Sequence, residues 1–180
     1  MKLLACMLTM AGLLSAADLV VGEKAPGVTL EGKAGGLIAG GAWSSASLQG
    51  RMQVLFYVDP DEKDLNEHVG EAIQRESFPS DRFGSVAVIN MDASAVPNFI
   101  LNRIVAAKQK KFPRTVYVKD FGRTLVSAWG LADNSYDVVL FDEAGRVLFV
   151  NQGKVAEADV KKLVGLIREG VNRLPAAPAK

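Results

Sequence analysis

The seven residues Met52 to Val58, MQVLFYV, restrict this chain more than any other stretch. A continuous apolar, β-branched and aromatic run of that kind suits a strand buried on both faces, which requires a sheet covered on each side. Asp59-Pro60-Asp61-Glu62 follows at once. Asp59 as N-cap, Pro60 at the first helical position and Glu62 closing a capping box mark a helix start. The predicted helix runs to about Glu76, with Leu65, Val69, Ala72 and Ile73 on one face, and Phe78-Pro79-Ser80 stops it.

The remaining elements extend that pattern. Ser85 to Asn90 (SVAVIN) is a second buried strand, and Pro97 to Lys111 a second helix with Phe99, Ile100, Ile104 and Val105 inward. Pro113 ends it. Thr115 to Val118 is a strand, followed by an Asp120-Phe121-Gly122 turn and the stretch Thr124 to Trp129. Asp137 to Asp142 and Arg146 to Val150 flank Glu143-Ala144-Gly145, a hairpin by turn chemistry. The last helix, from about Ala156 to Val171, carries Val160, Leu163, Val164, Ile167 and Val171 at helical spacing. Strand–helix–strand–helix, a hairpin and a packed helix predict an α/β, thioredoxin-like three-layer fold: a mixed central sheet with helices on both faces.

Ala25 to Trp43 is Gly-rich, with short extended pieces at Val28-Thr29-Leu30 and Leu37-Ile38. Its glycines are no phosphate loop, because the Lys-Ser/Thr ending is missing and no buried strand leads in. A flexible meander is expected there.

The first residues read as processing. Lys2 supplies a positive n-region, Leu3 to Leu14 an apolar run, and Ser15-Ala16-Ala17 the small residues a signal peptidase reads. Residues 1–17 are therefore a signal peptide, residues 18–173 one thioredoxin-like domain, and 174–180 a disordered Pro/Ala tail. The expected location is the periplasm, with no transmembrane segment after cleavage. The chain has 21 Lys plus Arg and 20 Asp plus Glu; the leader holds one base, Lys2, and no acid, so the remainder balances at zero. A neutral chain offers no footprint for a polyanion, which argues against nucleic acid. The single cysteine is Cys6, inside the leader. The mature chain is then cysteine-free and held by packing alone.

Two stretches carry a resemblance. Trp43 to Arg51, with Leu48, Gly50 and Arg51, resembles the entry to the first core strand in the alkyl hydroperoxide reductase and thiol-specific antioxidant group. Val138 to Val147 resembles that group's closing hairpin. Within the group the chain looks most like the YtfJ family of periplasmic proteins of unassigned function, through Asn66, Phe78-Pro79, Asp81-Arg82-Phe83, Val88-Ile89-Asn90, Ala128-Trp129 and the Asp142 to Val147 hairpin. The resemblance implies a thioredoxin-like fold and periplasmic location, and supplies no reaction.

Catalytic relatives hold their reactive cysteine in the turn from the first core strand into its helix, where the helix N-terminus lowers the thiol pKa. Here that turn reads Val58-Asp59-Pro60-Asp61-Glu62-Lys63, with carboxylates in place of the thiol. The cis-proline that faces the cysteine in redox members is replaced by Asn134-Ser135-Tyr136. A thiol-disulfide oxidoreductase or peroxidase is therefore not expected.

Other chemistry has weak support. Asp59, Asp61, Asp64 and Glu67 begin like a calcium loop but lack its glycine and distant Glu. No metal and no cofactor are expected. His68, the sole histidine, gives no paired zinc ligands and no simple triad, and is expected on a solvent-facing side of its helix. Lys108, Lys110, Lys111 and Arg114 are expected to interact with a helix dipole. The leading expectation is a binding or interaction module for an envelope protein, a peptide or a small ligand, with Tyr57, Asp59, Ser135 and Tyr136 around the vacated redox cleft. The alternative is a cysteine-independent hydrolase or isomerase using carboxylates such as Asp59 or Asp92.

Overall fold

The computed structural model describes residues 18–93 and 97–175. The expected signal peptide and the last five residues of the expected tail lie outside them. Twelve elements follow in order: β1 (Thr29–Leu30), β2 (Gly35–Leu37), β3 (Trp43–Ser44), β4 (Met52–Val58), α1 (Glu67–Arg75), β5 (Phe83–Asn90), α2 (Asn98–Lys111), β6 (Thr115–Asp120), α3 (Thr124–Trp129), β7 (Tyr136–Phe141), β8 (Val147–Asn151) and α4 (Glu157–Arg173). β1 pairs with β3, and a six-stranded sheet has the order β2-β6-β5-β4-β7-β8. β4, β5 and β6 are parallel, while β2, β7 and β8 run antiparallel to their neighbours.

β4 lies inside the sheet with all seven residues buried, as its unbroken apolar run requires. Met52, Val54, Phe56 and Val58 face a core shared with α1, α2 and α4. Leu55 and Tyr57 face a second core, built with α3, β1 and β3 around Trp43, Trp129 and Phe141. β4 to β5 and β5 to β6 both step the same way across the sheet, so two right-handed crossovers place α1 and α2 on one face. The result is the expected three-layer α/β sandwich with helices on both sides of a mixed sheet.

Tertiary bonds redraw several local expectations. The helix expected from Asp59 starts instead as a 3-10 turn, Pro60–Glu62, and becomes α-helical only at Glu67. Asn66, at the break, is fully buried. Its amide donates to Tyr136 O and Gly153 O at 3.1 and 2.8 Å and accepts from Val155 N at 2.9 Å. Three bonds to β7 and to the loop before α4 outweigh continuation of one helix. In α2, Ile100 is 38% exposed while Leu101 is buried, because Leu101, Ile104 and Val105 form the inward stripe. His68 is half-buried, not solvent-facing, with Nε2 3.0 Å from Val155 O. Thr124–Trp129 is helical and covers the second core with Leu125 and Trp129.

The glycine-rich segment is an edge strand. At Gly35 and Gly36, φ is 139° and 132°, and an added Cβ would meet Lys119 O at 1.9 Å and Gly41 O at 2.5 Å, respectively. Only glycine at position 35 allows β2 that close to β6, and only glycine at position 36 allows Gly41 to fold back onto β2. The closing hairpin follows its turn chemistry, with Asp142 Oδ1 accepting from the Ala144 and Arg146 amides at 2.9 and 2.8 Å.

Candidate functional site

The turn that would carry a reactive thiol is closed by its own carboxylate. Asp59 Oδ1 accepts from Asp61 N at 2.8 Å, and Asp59 N donates to Ser135 O at 2.8 Å, joining the turn to the residue before β7. Asp59 is 3% exposed. Burial raises its carboxyl above the ordinary value, and the Asp61 amide pulls the other way.

A polar cross-link occupies the surrounding rim. Arg123 has φ of 51°, a left-handed conformation that an arginine seldom adopts. Its guanidinium pairs with Asp133 at 2.8 Å and Asp92 at 3.2 Å and donates to Asp92 O at 3.0 Å. Asn90 Nδ2 donates to Asp133 Oδ1 at 2.9 Å. The end of β5, the start of α3 and the loop before β7 are thus tied together where a redox cleft would open.

The four expected site residues do not share one groove. Asp59 and Ser135 meet through their backbones. Ser135 Oγ turns back to Asp137 Oδ1 at 3.1 Å. Tyr57 points to the opposite core, where its hydroxyl donates to Asp120 Oδ2 at 3.2 Å. Burial and the Asp120 charge push the Tyr57 phenol far above its usual range. Asp120 also accepts from the amides of Gly122, Thr124 and Leu125, so it caps α3 as well as the phenol. Tyr136 faces the first core, edge-on to Phe56 with ring centres 6.0 Å apart.

Two carboxyls with raised values, Asp59 in the vacated turn and Asp137 across the sheet from Tyr57, are both buried and face no open space. Asp137 is fully buried and accepts from Ala132 N, Ser135 Oγ and Gly153 N. Burial pushes it up to about 6. Among the described residues, no group of three or more His, Cys, Asp or Glu side chains is arranged to hold a metal ion.

Sequence reasoning missed a cavity of about 360 Å³ between the sheet and the helices α1 and α2. Phe56, Val58, Ala87, Ile89 and Tyr136 form its floor, and Gly70, Ile73, Leu101, Ile104 and Val105 its roof. One end lies at Pro60 and Lys63, beside the vacated turn; the other lies at Arg51, Gly84 and Arg114.

Ion pairs bridge the two helices of the roof. Lys108 of α2 meets Asp64 at 2.8 Å and Glu67 at 2.6 Å, and Lys111 meets Glu67 at 3.2 Å and Glu71 at 2.7 Å. These bonds hold Asp64 down at about 2, with Lys108 the largest influence, and lower Glu67 as well. The basic cluster thus serves a helix–helix seam, and Arg114 reaches Phe78 O at 2.7 Å. Lys108, Lys110 and Lys111 lie in the last turn of α2, where the dipole contact is expected, and the ion pairs of Lys108 and Lys111 are an additional role.

The family described as "bacterial protein of unknown function (YtfJ_HI0045)" matches residues 30–170, most of the chain. The chain belongs to the YtfJ family. An "Uncharacterized protein YtfJ" of Escherichia coli (strain K12) is 27% identical over 131 residues, covering 71% of each chain. Among solved structures, this YtfJ-family chain resembles a thiol peroxidase from Chromobacterium violaceum, with a TM-score of 0.62 and 14% identity over 87% of this chain and 90% of that one. It also resembles the pneumococcal exposed lipoprotein thioredoxin Etrx1 of Streptococcus pneumoniae strain TIGR4, at a TM-score of 0.55 and 9% identity over 78% of this chain and 99% of that one. These likenesses establish the thioredoxin-like fold and carry no activity across. No helix among the described residues is long and apolar enough to cross a membrane. With one cysteine, the YtfJ-family chain cannot form an internal disulfide.

Proposed function

We propose that this YtfJ-family protein is an exported periplasmic binding protein that uses the thioredoxin fold without thiol chemistry and holds a small apolar ligand between α1, α2 and the sheet. The observation that carries the reading is the cavity of about 360 Å³, a size within the ordinary range of ligand pockets, with walls that are mostly apolar. Of the four residues expected at the site, Tyr136 lines it; Asp59 and Ser135 brace the adjoining turn.

Binding is favoured over carboxylate catalysis by where the acids sit. Asp59 and Asp137, whose carboxyls are raised, do not line the cavity; Glu67, which does, is lowered by Lys108. Asp92 is engaged with Arg123 at the rim. A general acid or base would need a perturbed group facing the substrate.

The test is fluorescence titration of the purified protein with N-phenyl-1-naphthylamine, a neutral apolar probe. Wild type is expected to enhance the emission saturably, and Ala87→Leu, which fills the floor, to abolish the effect while keeping the circular dichroism of the fold. Absence of enhancement by wild type, or equal enhancement by Ala87→Leu, refutes the cavity as the site. Export is supported by Lys2, the apolar run to Leu14 and Ser15-Ala16-Ala17. N-terminal sequencing of the periplasmic fraction is expected to begin at Asp18; a chain retaining Met1 in the cytoplasm refutes it.

A further inference from the structure

The two ends of the cavity differ in charge balance. At the end beside the vacated turn, Lys63 and Lys108 are both neutralised, by Asp64 at 2.5 and 2.8 Å, and Lys108 also by Glu67. At the other end stand Arg51, just before β4, and Arg114, just before β6. Arg51 Nη1 donates to Ser80 O, and Arg114 Nη2 donates to Phe78 O. The two carbonyls belong to one loop and are two residues apart, so both guanidiniums converge on the same end.

A guanidinium carries five N–H donors in a planar fork. Among the described residues, neither Arg51 nor Arg114 forms an ion pair with a carboxylate. Gly84 lets Arg51 close onto β5, since a Cβ there would come within 2.7 Å of the Arg51 Nη2. A half-buried and an exposed cation thus face the end of an apolar cavity with donors to spare. From Gly84 to Ile89 the floor follows β5 for five residue steps, about 16 Å at the rise of a parallel strand.

We infer that the ligand is a single-chain amphiphile with an anionic head, carboxylate or phosphate, bound head-first to Arg51 and Arg114 with its hydrocarbon chain along the floor towards Tyr136 and Pro60. This rests on the cavity being the ligand site, as proposed above. Forked cations favour carboxylate and phosphate because two parallel N–H···O bonds form at once, and such charge-assisted bonds are the strong ones. The apolar walls exclude a compact polar anion, which would leave them dry and unfilled.

Calorimetric titration of the full protein with decanoate, decyl phosphate and 1-decanol, all below their aggregation concentrations, tests this. At least one of the anions is expected to bind about tenfold or more tighter than decanol. Shortening decanoate to octanoate is expected to weaken binding roughly fifteenfold, about fourfold per methylene. Arg51→Gln with Arg114→Gln is expected to erase the preference for the anion and leave decanol binding unchanged, with thermal unfolding as the check on the fold. Preference for decanoate assigns a fatty-acid-like carboxylate; preference for decyl phosphate assigns a phospholipid-like head. Equal affinity for anion and alcohol, or a preference that survives the double substitution, overturns the head-group assignment while the apolar cavity stands. If none of the three binds, both the inference and the cavity reading fall.

Discussion

Asp137 should make this protein less stable as pH rises, opposite to the usual effect of a carboxylate in an ion pair. Its carboxyl is fully buried, pairs with no cation among the described residues and is raised from the ordinary 3.8 to about 6, burial being the main cause. Three donors, Ala132 N at 2.8 Å, Ser135 Oγ at 3.1 Å and Gly153 N at 3.4 Å, offset only part of the desolvation. Between those two values the folded chain holds a proton that the unfolded chain releases. The contribution is therefore complete below about pH 4 and lost as pH rises through about 6. A shift of about two units at 1.36 kcal/mol each makes the loss roughly 3 kcal/mol. Asp137→Asn keeps the shape, can still accept from Ala132 N, and can donate to the Ser135 hydroxyl, but has no charge to bury. Urea unfolding of both proteins at half-unit steps from pH 4 to 7.5 isolates the group, because every other titrating residue is common to the pair. The variant is expected to gain on wild type by about 2 to 3 kcal/mol across that range. A stability difference that stays flat with pH would show that Asp137 is not titrating in this window and would refute the reasoning.

Asn66→Ala leaves Tyr136 O and Val155 N without this partner and Gly153 O with Asn151 Nδ2 alone, and is expected to cost about 3 kcal/mol by urea unfolding; a loss under about 1 kcal/mol would mean that water replaces the amide. Tyr57→Phe removes one of four donors to Asp120 and should cost about 1 kcal/mol, whereas Asp120→Ala strips the cap of α3 and should cost at least twice as much; equal losses would contradict the shared-acceptor account. The α1–α2 seam has the opposite pH sign to Asp137. Asp64 and Glu67 are lowered by Lys108, so their contribution is present above about pH 4 and is lost as pH falls towards the Asp64 value of about 2. Lys108→Met is expected to flatten that part of the thermal stability profile, and an unchanged profile between pH 4.5 and 2 would refute the seam.

Much of the fold could be read locally. The Met52–Val58 run, the Asp142–Gly145 turn and the helical spacing of Val160, Leu163, Val164, Ile167 and Val171 each carry their structure in neighbouring residues. The replacement of a thiol turn by Asp59-Pro60-Asp61 is equally visible, because it concerns one short segment.

The candidate site was hidden for a physical reason. Whether a side chain such as Tyr57 or Tyr136 faces one core or the other depends on strand parity and on which helices cover each face. Asn66 breaks a good helix pattern because its partners lie 70 and 87 residues away in β7 and in the loop before α4. Lys108, in the last turn of α2, also pairs with acids 44 and 41 residues distant, which no local pattern announces. The cavity is bounded by Gly70 on α1 and Ala87 on β5, which lie far apart in the sequence. A missing volume shared between two distant elements has no periodicity and no motif, so only the packed chain reveals it.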